Sequence, residues 1–151
     1  MDKIKIGDLF EINSPRGNAY LHYVHHDDAT GELIRVLNGL YTERPVELDK
    51  LVKEGERYIV SFPLKAAKKQ NIIELVGNFS TFTFEKPKIM RTKHIIRGEF
   101  LGWHLVDTKT WERTLVTSLS AEQKKLSPWG MWSASLLIEN LINDWSLEKW
   151  N

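Results

Sequence analysis

The chain has 151 residues, 42% hydrophobic and 27% charged, a composition that suits one globular domain over residues 1–151. It has no cysteine, which excludes disulfides and thiolate metal sites and fits a reducing, cytoplasmic setting. The net charge of +1 conceals an acidic first third (−3 over residues 1–50), a basic middle (+5 over 51–100) and a nearly balanced remainder (−1 over 101–151), a distribution that steers partners rather than setting a fold.

Met1-Asp2-Lys3-Ile4-Lys5 leads into no apolar run, so no secretory signal is expected, and no stretch approaches the length of a membrane span. Leu9 to Ile12 reads as a strand, followed by the turn-rich Asn13 to Asn18. Ala19 to His26 and Leu33 to Leu37 read as two more strands around the Asp27-Asp28-Ala29-Thr30-Gly31 turn, and Asn38-Gly39 signals a further hairpin. Such closely spaced strands predict an antiparallel meander or small barrel-like sheet. Val46 to Glu54 suits a short helix ended by Gly55, Arg57 to Phe62 a strand stopped by Pro63, and Leu64 to Gln70 one or two helical turns. Ile72 to Val76 reads as a buried strand, and residues 77–94 as a long ordered loop or edge. Glu99 to Asp107 and Trp111 to Val116 form a later hairpin. Ser120-Ala121-Glu122-Gln123 has the spacing of a capping box opening a helix that stops before Pro128. From Ser133 the spacing turns helical, with Ile138, Leu141, Ile142 and Trp145 on one face. The expected fold is α+β: β-rich, with the later hairpin packed on short C-terminal helices.

All six tryptophans lie beyond residue 100. Trp103 and Trp145 read as core, whereas Trp129 and Trp132 flank Gly130 in a Gly/Pro loop where two indoles are hard to bury together, which suggests a partner-facing role. His22, His25 and His26 adjoin Asp27 and Asp28. Strand alternation puts His22 and His26 on one face and His25 on the other, so three imidazoles do not converge and no metal is expected. Lys86, Lys88, Arg91, Lys93 and Arg97 form a basic segment with no acid between Lys86 and Arg97, of the kind that tracks a phosphate backbone, although the near-neutral whole argues against a nucleic-acid partner. No nucleophile elbow, phosphate loop or dinucleotide fingerprint is present, so a binding protein without a cofactor is expected rather than an enzyme.

The opening Ile4-Lys5-Ile6-Gly7-Asp8-Leu9-Phe10-Glu11-Ile12, with its following turn and the aromatic strand Ala19-Tyr20-Leu21-His22-Tyr23, resembles the immunity protein 26 family of bacterial polymorphic toxin systems. The resemblance is clearest over residues 3–37 and continues more loosely through Tyr58 to Phe62 and Gly102-Trp103. It implies a mostly β domain that binds and neutralises a cognate protein toxin in the producing cell, with no catalytic residue to carry over. On that expectation Asp27, Asp28 and Glu32 steer the partner, and Tyr20, Tyr23, Trp129 and Trp132 anchor it. The basic segment provides an alternative, nucleic-acid-binding use.

Overall fold

The computed structural model describes residues 3–151; Met1 and Asp2, which entered the reading of the N-terminus, lie outside the described residues. Strands β1 (Asp8–Ser14), β2 (Gly17–Asp27), β3 (Gly31–Leu37), β4 (Glu56–Ser61) and β5 (Ile73–Asn78) form one antiparallel sheet in the order β4-β3-β2-β1-β5. Strands β6 (Ile89–Ile96), β7 (Glu99–Asp107) and β8 (Arg113–Val116) form a second sheet. Short helices α1 (Leu48–Lys53), α2 (Leu64–Lys69) and α3 (Ala134–Ile142) complete the β-rich fold. Among the described residues no helix is long and apolar enough to cross a membrane.

The first sheet buries both faces. On one, the pairs Phe10↔Leu21, Leu21↔Val36, Tyr23↔Ile34 and Ile34↔Val60 align a row of apolar side chains. Leu137 and Leu141 of α3, with Trp132, complete that core. Ser133 caps α3 by accepting from the Leu136 N–H at 3.1 Å. The buried stripe is set by Leu137 and Leu141, with Ile138 and Trp145 only partly covered and Ile142 exposed. The expected helical face was therefore turned by about one residue position.

The opposite face combines apolar cover with a polar line. Leu51 and Val52 of α1 pack on Leu9, Tyr20 and Leu37. Arg44 grips Glu11 at 2.9 Å, and Tyr20 donates to the same carboxylate at 2.6 Å. Hydrogen bonding from Arg44 lowers the Glu11 pKa, while burial raises that of Tyr20. Further along, His22 contacts the Phe79 carbonyl at 3.1 Å and Arg35 at 3.0 Å, and Arg35 also reaches Glu56 at 2.6 Å. Arg35 has only protons to give, so His22 Nδ1 is the acceptor and Nε2 the donor, which fixes one neutral tautomer.

Several local expectations change. Asn38-Gly39 is not a hairpin turn: Gly39 (φ 89°) redirects the chain so that Tyr41 bridges Asn18, and α1 intervenes before β4. Ile72 to Val76 does supply a strand, but an edge strand with Glu74 and Leu75 exposed. Residues 77–94 are not one loop, because β5 runs to Asn78 and β6 begins at Ile89, although β6 is an edge strand, as the other half of that expectation had it. The capping box closes as expected, with the Gln123 N–H on Ser120 Oγ at 3.1 Å and the Ser120 N–H on Gln123 Oε1 at 2.9 Å. It opens only a 3-10 turn, Gln123–Lys125, because the chain becomes extended at Leu126 to enter the bridge between Pro128 and Arg91.

Candidate partner-binding surface

The edge strand β6 of the second sheet carries a buried cation. Arg91 has no exposure, and its guanidinium donates to the carbonyls of Leu126 (3.1 Å), Lys124 (3.0 Å), Leu147 (2.8 Å) and Trp150 (2.9 Å). Its carbon lies 4.6 Å from the Trp103 ring centre and 4.4 Å from that of Trp150, so two indoles enclose the cation. Desolvation pushes its pKa down to about 10. From Trp150 an aromatic chain runs through Trp145 to Trp132 and Tyr58, with successive ring centres 5.6, 5.0 and 5.2 Å apart. Packed aromatic rings, tilted at both ends and edge-on between Trp145 and Trp132, thus run toward the first sheet at Tyr58.

This arrangement corrects several expected roles. Arg91 cannot meet a phosphate backbone because main-chain carbonyls and indoles surround it. Lys86 is tied to the Thr108 carbonyl at 3.0 Å, and Lys93 lies over Phe100 and Trp103, while Lys88 and Arg97 remain exposed. Tyr20, Tyr23 and Trp132, expected to anchor a partner, are buried in the first sheet's two cores. Burial of the Trp129/Trp132 pair proves possible because the two indoles part. Trp132 enters the α3 core, and Trp129 sits half-buried beside Leu33, Ile59 and Met90. Trp103 is buried as expected, whereas Trp145, also expected in the core, is only partly buried against the cluster that holds Trp132 and Tyr58.

The acidic turn remains outside. Asp28 is fully exposed, Asp27 accepts from the Ala29 N–H at 2.8 Å, and Glu32 is largely covered beside His26. A bulge between Tyr23 and His25 overturns the expected alternation of the histidines. His22 pairs with Arg35 and His25 with Leu33, so these two share a face, and His26 faces Glu32 instead. No group of three or more potential metal ligands occurs among the described residues.

A group of exposed apolar side chains lies at the far end of β6 and β7. Ile95, Ile96, Phe100 and Leu101, with Leu115 of β8, are each 40–53% exposed. Arg97 (φ 52°) and Gly98 (φ 80°) form the two-residue connection between Ile96 and Glu99, the left-handed pair that a tight hairpin requires. A second bulge, after His94, leaves Leu101 unpaired opposite β6. Phe100 packs edge-on against Trp103 at 5.7 Å under the Lys93 ammonium, on one face. On the other, His94 and His104 stack at 4.4 Å and Arg113 donates to His104 Nδ1 at 3.3 Å. Burial, then His94 and Arg113, depress the His104 pKa. The tip therefore shows apolar side chains on both faces, rimmed by Lys93, Arg97 and Arg113 against Glu99. A signal for it stood in the sequence. Ile95-Ile96 and Phe100-Leu101 are consecutive rather than alternating apolar pairs around Arg97-Gly98, a pattern that leaves one apolar residue of each pair without a core.

Compared with protein-family models, with curated proteins and with solved structures, the chain finds no match. The likeness to the immunity protein 26 family thus rests on the residues quoted from the sequence.

Proposed function

We propose that this chain is an immunity protein, which binds a cognate protein toxin stoichiometrically in the cytoplasm of the producing cell and acts by occlusion rather than catalysis. The observation that carries the binding surface is the exposed end of the β6–β7 hairpin with Leu115, where five large apolar side chains are left 40–53% exposed. Isolated exposed apolar residues are ordinary, but a cluster rimmed by charge marks an interaction surface. Phe100 and Leu115 replace Tyr20, Tyr23 and Trp132 as anchors. The Asp27-Asp28 turn, which joins β2 and β3 of the first sheet near Lys86 and Thr108, keeps its steering role away from this tip. The Lys93, Arg97 and Arg113 rim favours a toxin surface with acidic residues around an apolar depression.

Mixing the protein with the product of the adjacent toxin gene should give a 1:1 complex on size exclusion at micromolar concentration. Phe100→Ala with Leu115→Ala should weaken it by roughly thirtyfold, the scale of losing one to two interface anchors, while leaving the melting temperature nearly unchanged. No complex with that product, or unchanged affinity in the double variant, rejects respectively the pairing and the surface. Nucleic-acid binding through residues 86–97 is the weaker alternative, since Arg91 and Lys86 are engaged within the fold. Retention of DNA or RNA that falls steeply with salt would favour it.

A further inference from the structure

The face of the first sheet that carries α1 holds a single recess of about 580 Å³, within the range of small-molecule sites. Its floor is His22 and Arg35, one wall is Val52 and Lys53 at the end of α1, and the other wall is the segment from Ser80 to Phe84. Among the described residues no carboxylate lines it. The 80–84 wall is fastened at both ends. His22 Nε2 donates to the Phe79 carbonyl at 3.1 Å, and Phe84 packs on the cluster of Leu33, Ile59 and Met90. Between them the Phe84 N–H closes a turn on the Thr81 carbonyl at 2.9 Å, which leaves the Phe82 ring 94% exposed at the rim.

Arg35 is the unusual element of the floor. It is only 8% exposed, and a buried cation needs its donors met. Its Nε donates to Glu56 at 2.6 Å, Nη1 to His22 Nδ1 at 3.0 Å and Nη2 to the Val52 carbonyl at 2.9 Å. A guanidinium has five N–H groups, so one on each terminal nitrogen is left without an acceptor among the described residues. The other buried guanidinium, Arg91, gives four of its five away and has no exposure at all. Arg35 therefore stands in the floor of a recess, locked in place by three partners and with two donors to spare. Lys53 is exposed at the rim, and Ser80 Oγ, which accepts the Phe82 N–H at 3.1 Å, keeps its own proton to give.

We infer that this recess binds a small organic monocarboxylate with a flat apolar body, the carboxylate reached by the spare Arg35 donors and by Lys53, and the body held against Val52 and Phe82. A guanidinium fixed by its other bonds meets a carboxylate in charge-assisted hydrogen bonds without first having to be ordered. Arg35 and Lys53 carry two positive charges and Glu56, outside the lining, returns one. The single net charge favours a carboxylate over a phosphate dianion. The inference does not rest on the toxin-binding reading, whose surface belongs to the second sheet.

Nuclear magnetic resonance titration of the full chain with 3-phenylpropionate tests it, alongside the uncharged 3-phenylpropionamide, acetate and phenyl phosphate. The Arg35 Nε–H signal and the amides of Ser80 to Phe84 should shift together and saturate within about 10 mM of 3-phenylpropionate. The amide and acetate, which each keep one half of the ligand, should bind about tenfold or more weakly, the scale of losing a charged contact or the apolar body. Lys53→Gln and Phe82→Ser alter two exposed side chains, so each should weaken binding severalfold while the melting temperature holds. Absence of saturable shifts up to about 10 mM overturns the inference. So does an Arg35 Nε–H signal that stays in place while others move, an amide that binds as well as the acid, unchanged affinity in both variants, or phenyl phosphate binding about tenfold more tightly than the carboxylate.

Discussion

A guanidinium enclosed by two indoles and four carbonyls, with no carboxylate partner among the described residues, is the costliest single group in this fold to disturb. Arg91→Lys keeps a positive charge but cannot fork to four acceptors. It should cost about 2 kcal/mol or more in urea denaturation, and Arg91→Met about 3 kcal/mol, because carbonyls left without donors lose more than the charge's desolvation returns. Equal stability of the Met variant and the parent would contradict this account. His22 makes a second residue-level case. Burial holds its folded pKa below the free value of 6.5, so the unfolded chain takes up the proton first. Its contribution is complete above that value and is lost as pH falls through about 6.5 towards the folded pKa. The melting temperature should therefore decline from pH 7 towards pH 5, and His22→Gln should flatten the decline. Parallel profiles for the two proteins would show that proton uptake elsewhere, at His25 or His104, governs it.

At the scale of elements, the hairpin that carries the binding surface depends on Gly102. Its φ is 138°, and an added Cβ would stand 2.6 Å from the Val116 carbonyl oxygen. Gly102→Ala should thus push β8 off the edge of the sheet and cost roughly 2–3 kcal/mol, read as faster amide exchange over residues 113–116 than over β6. Much at this scale was legible in the sequence. Strands β1 to β4, both short helices before residue 70, the Ser120 capping box and the Ser133 start of α3 follow from turn chemistry and apolar periodicity, which are local. What escaped was non-local. The period-2 histidine assignment failed at a bulge that only the partner strand β3 imposes. Arg91 looked like one of five surface cations because its carbonyl partners lie 33 to 59 residues further along the chain. Tyr20 and Tyr23 looked like anchors because one tyrosine looks the same on a buried and an exposed strand, and here each face of the sheet is covered. The consecutive apolar pairs around Arg97-Gly98 were the one part of the candidate site that could be read directly.

For the whole molecule, the two sheets have separate hydrogen-bond ladders but one shared aromatic seam, from Trp103 through Trp150 and Trp145 to Trp132 and Tyr58. They should consequently melt in one cooperative transition. Trp150→Ala removes the ring that links Trp103 to the rest of the seam and one wall of the Arg91 enclosure. It should cost about 3 kcal/mol and separate the near-ultraviolet and far-ultraviolet circular dichroism transitions, the second sheet loosening first. Coincident transitions in that variant would place the coupling elsewhere, in the Ser61–Met131 and Arg91–Pro128 bridges. The Arg91 enclosure also has a consequence in time. During synthesis the five strands of the first sheet leave the ribosome well before residues 147–150, and until those emerge two of the four carbonyls and one indole around Arg91 do not yet exist. A nascent chain stalled short of Leu147 should therefore hold a formed first sheet and a protease-sensitive second one, so that maturation of the hairpin surface waits on translation of the tail.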